Sequence, residues 1–208
     1  MPNPPAHFDC LYIASRLCDR LGSAAEGEVH LFAYLACLLS LFDMQPVADW
    51  GYNFAGLSAG APFSPEIRES LDSLVLQGSL VRGDPGLLLT ETGLAEFRFL
   101  GAMSFFHERQ RYLDAACSSL RLFPVGLIRA AMGMEPGLRP IAATGGARPL
   151  LADVAINQLH EQFDALVQTL GPDKADLLVP ASVWLSYLSE MSRKHDWKVI
   201  SSSVLRSK

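Results

Sequence analysis

Nucleotide hydrolysis needs a glycine-rich loop ending in lysine and then serine or threonine, so that backbone N–H groups and an ammonium cradle the phosphates. The chain contains no such GxxxxGK[ST] segment. Its nearest glycine-rich stretch, Thr144-Gly145-Gly146-Ala147-Arg148, lacks the lysine and reads as a linker. His107-Glu108 and His160-Glu161 each begin like the HExxH helix that holds zinc. Arg111 and Asp164 stand where the second imidazole belongs, so the zinc geometry fails. Asp153, Glu161 and Asp164 fall on or near one helix face, which reads as a solvated acidic face unless another helix adds ligands. Cys117-Ser118-Ser119 has no base nearby in sequence to activate a nucleophile. The four cysteines, Cys10, Cys18, Cys37 and Cys117, form no CxxC pair, and three sit in apolar helical patterns. They read as reduced, buried thiols. The sequence therefore assigns no catalytic residue, no metal ligand and no cofactor.

Charge is distributed in blocks. Residues 1–90 carry four arginines against ten acids, residues 98–148 seven arginines against three acids, residues 149–192 a balance of −5, and the tail 193–208 a balance of +4, within a net −5. Alternating blocks suit docking to a charged protein surface, and they confine any contact with nucleic acid to the arginine-bearing middle or the basic tail. Apolar residues make up 50% of the chain and charged residues only 19%, a balance that points to a buried subunit interface in a hetero-oligomer or homodimer. No run approaches the 18 apolar residues of a membrane span, and residues 29–42, the richest stretch, read as a core helix. The N-terminus has no basic stretch followed by an apolar one, so no signal peptide and a cytoplasmic location are expected.

The elements that must position these residues are mainly helical. Helical spacing covers 8–21, closed by Gly22, and 26–42, with Glu26 and Glu28 in the first turn where the helix dipole favours anions. An irregular stretch, 44–63, precedes the best-defined helix, 64–78. Ser64 is its N-cap, Pro65 sits at its first position, Ile67, Leu71, Leu74 and Val75 form its core stripe, and Gly78 ends it. Residues 79–82 and 86–90, joined by Gly83-Asp84-Pro85, read as a β-hairpin. A long helix is expected from about 92 to 122, kinked near Gly101, then a short one from Pro124 to about Met132. Residues 133–149, with four glycines and three prolines, read as an exposed connection. Two last helices, 150–170 and 173–194, are separated by Gly171-Pro172, with Pro180 kinking the second or delaying its start.

This order of elements resembles a winged helix. Gly51-Tyr52-Asn53-Phe54, Gly60-Ala61-Pro62-Phe63-Ser64, Leu71-Asp72-x-Leu74 and Gln77-Gly78-Ser79-Leu80 look like the core of many bacterial winged-helix proteins. Leu89-Thr90-Glu91-Thr92-Gly93 is similar to the L-T-x-x-G that closes the wing there. The resemblance covers about residues 26–100. It implies a winged helix-turn-helix domain with a short hairpin wing over 1–100 and a helical extension over 101–208. More faintly, the chain is similar to the small accessory subunits, or middle components, that accompany SMC-like or ABC-type ATPases in bacterial antiviral defence. That similarity implies a non-catalytic, bridging role.

A DNA-reading winged helix needs cations or amides on its third helix. Residues 64–78 instead offer Glu66, Glu69 and Asp72 against Arg68 alone, and the wing pairs Arg82 with Asp84. Carboxylates on that face oppose phosphate, so it reads as an ordinary solvated or a partner-facing helix face. Phe97, Phe99, Phe105 and Phe106 fall on more than one helix face, so some pack on a second domain or on another chain, and Phe105 and Phe106 are the further candidates for partner contact. The first expectation is a non-catalytic adaptor subunit that binds protein through Glu66, Glu69, Asp72, Phe105 and Phe106. The second is a DNA-binding regulator acting through Arg98, Arg109, Arg111, Arg121 and the tail. The third is an enzyme whose site no motif announces.

Overall fold

The computed structural model describes residues 3–58, 60–145, 147–171 and 176–206 of the chain. Within these the protein is mainly helical, with two small antiparallel sheets. Pro172, Gly146 and the tail side chains from residue 195 onward, all invoked in the sequence reading, lie outside what is described.

Helix α1 (Pro4–Leu21) starts earlier than its apolar pattern suggests, because Asn3 accepts from the Ala6 N–H and two prolines occupy its first positions. It ends at Gly22, whose φ of +83° is left-handed. Helix α2 (Glu26–Phe42) is buried on nearly every face and forms the axis of the core. The Glu28 carboxylate reaches back to the Ala25 N–H at 3.2 Å and satisfies one of its orphan donors.

The segment 43–64 folds over α2 through a 3₁₀ turn at Val47–Trp50 and strands β1 (Ala55–Gly56) and β2 (Pro62–Phe63). It delivers the chain to helix α3 (Pro65–Leu76). The N-cap expected at Ser64 forms: its hydroxyl accepts from the Ile67 N–H. Its own N–H donates to Nδ1 of buried His30, 3.1 Å away on α2. Ile67, Leu71 and Leu74 then lock α3 into the core.

Strands β3 (Leu80–Arg82) and β4 (Leu87–Leu89) make the expected hairpin in the register Leu80–Leu89, Val81–Leu88, Arg82–Leu87. Leu87 also exchanges both backbone bonds with Ala24, so residue 24 extends this sheet. Helix α4 (Glu91–Gly101) follows, and its start explains the Leu89–Gly93 motif. Thr90 Oγ1 accepts from the Gly93 N–H at 3.1 Å and donates to the Gly78 carbonyl at 2.7 Å. A Cβ on Gly93 would stand 2.1 Å from the Ser79 carbonyl oxygen, so only glycine lets α4 close onto the hairpin.

The single long helix expected over 92–122 does not form. α4 stops at Gly101, a 3₁₀ turn spans Ser104–Phe106, and helix α5 (His107–Ser118) gives way to a second such turn at Ser119–Arg121. The break is held by Gln110, whose amide donates to the Gly101 carbonyl, and by Phe106, which turns inward to stack on Phe8 at 4.1 Å between ring centres. Packing crosses residue 100 without interruption: α5 lies against α1 and α2.

After helix α6 (Val125–Met132), the stretch 133–149 is not the exposed connection that its glycines and prolines suggested. It contains helix α7 (Leu138–Thr144) and strand β5 (Arg148–Pro149), which pairs with β1 to complete the order β2-β1-β5. Glu135 is fully buried and accepts from the Gly137 and Leu138 N–H groups, both at 2.9 Å, which starts α7. Leu138 and Ile141 then join the core. Helix α8 (Asp153–Leu170) sends Phe163 between Phe42 and Trp184, edge-on to both. Helix α9 (Leu178–Arg206) packs chiefly on α6, and Pro180 sits in its first turn, where a missing N–H costs no intrahelical bond.

Candidate functional site

The strongest surface candidate is the outer face of α3 and the β3–β4 hairpin. α3 turns Ile67, Ser70, Leu71 and Leu74 inward and leaves Arg68, Glu69, Asp72 and Leu76 outward. Its two nearby cations are neutralised. Arg82 forms ion pairs with both Glu26 and Asp72, the second at 2.6 Å, and Arg68 lies 3.8 Å from Glu26. Glu66 is half-buried and accepts from the Ser64 hydroxyl at 2.8 Å, so it belongs to the helix cap. Glu69 is exposed and has no ion pair among the described residues. Beside these acids the hairpin buries Leu80 and Leu87 in the core, while the cross-strand pair Val81–Leu88 is exposed. Leu76, at the end of α3, is 88% exposed. The face is thus acidic and apolar together.

The two phenylalanines proposed for partner contact part company. Phe105 is 76% exposed and, with exposed Phe99 and Met103, forms an apolar corner after α4. Phe106 is a core residue held by Phe8, which corrects its assignment to a partner surface. Turning the helix at Gly101 is what separates two adjacent side chains so completely.

The arginines of the middle segment separate too. Arg98 is exposed on α4. Arg109 is largely buried, its side chain 11% exposed, and its donors are committed within the protein, which removes it from the nucleic-acid candidates. Its Nε and Nη2 reach the two Asp9 carboxylate oxygens at 2.5 and 2.7 Å, its Nη1 donates to the Trp50 carbonyl, and its guanidinium lies 3.8 Å from the Trp50 ring centre. The Tyr52 hydroxyl donates to the same carboxylate. Burial pushes the Asp9 carboxyl above its usual range, although Arg109 and Tyr52 pull against it. Burial also opposes the Arg109 charge, but Asp9 outweighs it and holds the guanidinium protonated. Arg111 and Arg121 remain at the surface and border one cleft lined by α1, α5 and the start of α9, with Arg111 3.8 Å from Asp43.

Residues tested for chemistry stay apart. Among the described residues no group of three histidines, cysteines or acids comes together as a metal site. All four cysteines are free, and burial raises the thiols of Cys10, Cys37 and Cys117 far from the nucleophilic range. Among the described residues no single helix is long and apolar enough to cross a membrane.

Sequence reasoning missed the Asp9–Arg109–Tyr52 network and the His30–Ser64 bond. One signal was present for each: a polar residue on the apolar face of a helix, Asp9 between Phe8 and Cys10, and His30 between Val29 and Leu31. The partners were not readable, because they stand 100 and 34 positions away. No protein-family model, curated protein or solved structure matches the chain.

Proposed function

We propose that the protein is a non-catalytic adaptor subunit with a winged-helix N-terminal half, and that α3 and the β3–β4 hairpin hold a protein partner rather than DNA. The order α1, the residue-24 bridge, α2, α3, then a hairpin closed by α4, is what a winged helix requires, and it supports that reading of the fold. The observation that carries the function is the state of the α3 and wing face. Arg68 and Arg82 are both tied to carboxylates, while Leu76, Val81 and Leu88 stand exposed beside Glu69 and Asp72. A phosphate backbone would meet net negative charge there. A protein partner would find apolar anchors rimmed by acids, the composition of a specific interface with a basic-rimmed surface.

The resemblance to accessory subunits of SMC-like or ABC-type ATPases gives the class of partner, with a bridging role in a defence complex. The test is co-purification of the tagged full chain with the products of its neighbouring genes. A stable complex that is lost in Leu76→Glu and in Val81→Glu/Leu88→Glu, but kept in Phe99→Ser, is expected. A monomer that captures none of its neighbours, or a complex indifferent to these substitutions, overturns the proposal.

A further inference from the structure

The C-terminal helices leave an apolar face uncovered. α8 buries only Leu159 and Phe163 among its residues, and the Trp184 indole N–H donates to the Gln162 side-chain oxygen at 2.9 Å, which holds α8 against α9. Beside that bond lies a groove of about 380 Å³ lined by Ala165, Leu166, Thr169, Val183, Trp184 and Tyr187. It shares Glu161, Gln162 and Tyr187 with a second cavity of about 580 Å³ that reaches Met134, Arg139 and Met191. On α8 the lining residues run from Gln158 to Thr169, about 16 Å of helix. On α9, Val179, Val183 and Tyr187 recur every four residues and are 47%, 37% and 49% exposed, one open apolar stripe.

Charge around the groove is mainly negative. Glu161 borders both cavities, exposed Asp164 follows it on α8, and exposed Asp176 precedes α9, against Arg139 at the far end. Glu190 is ion-paired with Arg193. Residues 149–192 total −5, whereas residues 193–208 total +4 and interleave Trp197, Ile200, Val204 and Leu205 with Lys194, Lys198 and Arg206. The chain therefore holds both an acidic-rimmed apolar groove and a basic apolar helical segment of the composition that fits it. α9 runs as one helix from Leu178 to Arg206, and the groove lies on its first half. A continuous helix does not fold back on its own flank, so residues 195–206 reach such a groove only on another molecule.

We infer that the chain forms a two-fold dimer in which residues 195–206 of each copy lie in the α8–α9 groove of the other. As helix those residues extend about 16 Å, the length of the groove wall on α8. With the two α9 helices antiparallel about an axis near Ser192, Lys194 comes level with Glu190 of the other copy, Lys198 with the stretch of groove between Glu161 and Tyr187, and Arg206 with Asp176. The exchange is isologous, each copy giving one tail and one groove, so it closes at two. The face on α3 and the β3–β4 hairpin takes no part, so the dimer and the partner proposed for that face stand or fall separately.

The test is sedimentation velocity of the full chain over roughly 1–100 µM, where a concentration-dependent dimer is expected. Val183→Glu/Tyr187→Glu in the groove and Ile200→Lys/Val204→Lys in the tail should each weaken the dimer at least about tenfold, while each variant still melts cooperatively. Glu161→Lys and Lys198→Glu should each weaken it about fivefold, and together restore it to within about twofold of wild type, which damage to the fold would not do. Leu76→Glu on α3 should leave it unchanged. A wild-type chain that stays monomeric across the range overturns the inference. So does a dimer that keeps its affinity in either double variant, or a charge swap whose losses add.

Discussion

Replacing Arg109 tests whether this largely buried arginine serves the fold or a ligand. Arg109→Met keeps most of the side-chain volume and removes the charge. It deletes two charge-assisted bonds to Asp9, one bond to the Trp50 carbonyl and the stack on the Trp50 ring. Asp9, with no exposed surface, is then left with the Tyr52 hydroxyl alone. Removing one member of a buried pair typically costs about 3–5 kcal/mol, because the other charge stays buried and uncompensated. In a chain of this length that lowers the melting temperature by roughly 10 °C. Asp9→Asn should cost less, about 2 kcal/mol, because Arg109 borders a pocket of about 180 Å³ that also holds Asp49 and Glu108 and gives the freed guanidinium an exit. The double variant Asp9→Asn/Arg109→Met should therefore fall short of the summed single losses by about 2 kcal/mol or more. Urea unfolding followed by circular dichroism and tryptophan fluorescence measures all three. Additive losses, or a loss below about 1 kcal/mol for Arg109→Met, would refute the account of Arg109 as a structural residue.

Other consequences are as direct. His30 is buried against Phe63, and its Nδ1 must stay unprotonated to accept from the Ser64 N–H; burial, with Arg68 nearby, lowers its pKa to about 4. The unfolded chain takes up that proton near pH 6.5, so stability is full above that value and falls by about 3 kcal/mol as pH drops towards 4. The difference between the pH–stability curves of wild type and His30→Gln isolates this share, and a flat difference would count against it. Gly93→Ala should destabilise by about 1–3 kcal/mol, since its Cβ collides with the Ser79 carbonyl; a neutral or stabilising result in thermal melts would mean that α4 moves freely off the hairpin. Ser64→Ala should lose about 1 kcal/mol by chemical denaturation, and a loss under a few tenths would show that the His30 bond alone sets the start of α3.

What was legible in the sequence was local. Ser64-Pro65 announced the start of α3, Gly83-Asp84-Pro85 the hairpin turn, and Leu89–Gly93 the junction of the hairpin with α4, because each depends on groups within a few residues of one another. What was not legible depended on distant partners. Composition made residues 133–149 a connection, yet Glu135 organises them by accepting two N–H groups, and β1, some ninety residues earlier, provides an edge for β5. Helical spacing ran on through 92–122, yet the gain from burying Phe106 against Phe8 breaks the helix after Gly101.

The same distinction governs the arginines. Counting charges along residues 98–148 treats Arg98, Arg109, Arg111 and Arg121 alike, but a guanidinium's availability is set by whichever carboxylate the fold brings to it. Asp9 takes Arg109 out of reach, and Glu26 with Asp72 takes Arg82. Asp114 engages Arg16, whereas Arg20 and Arg121 keep their donors at the surface. The sign of each surface follows from this pairing more than from composition. An acidic, apolar face is left on α3 and the β3–β4 hairpin, whereas the cleft along α1 and α5 sets its arginines, two of them already paired, against Asp19, Asp114 and Asp176.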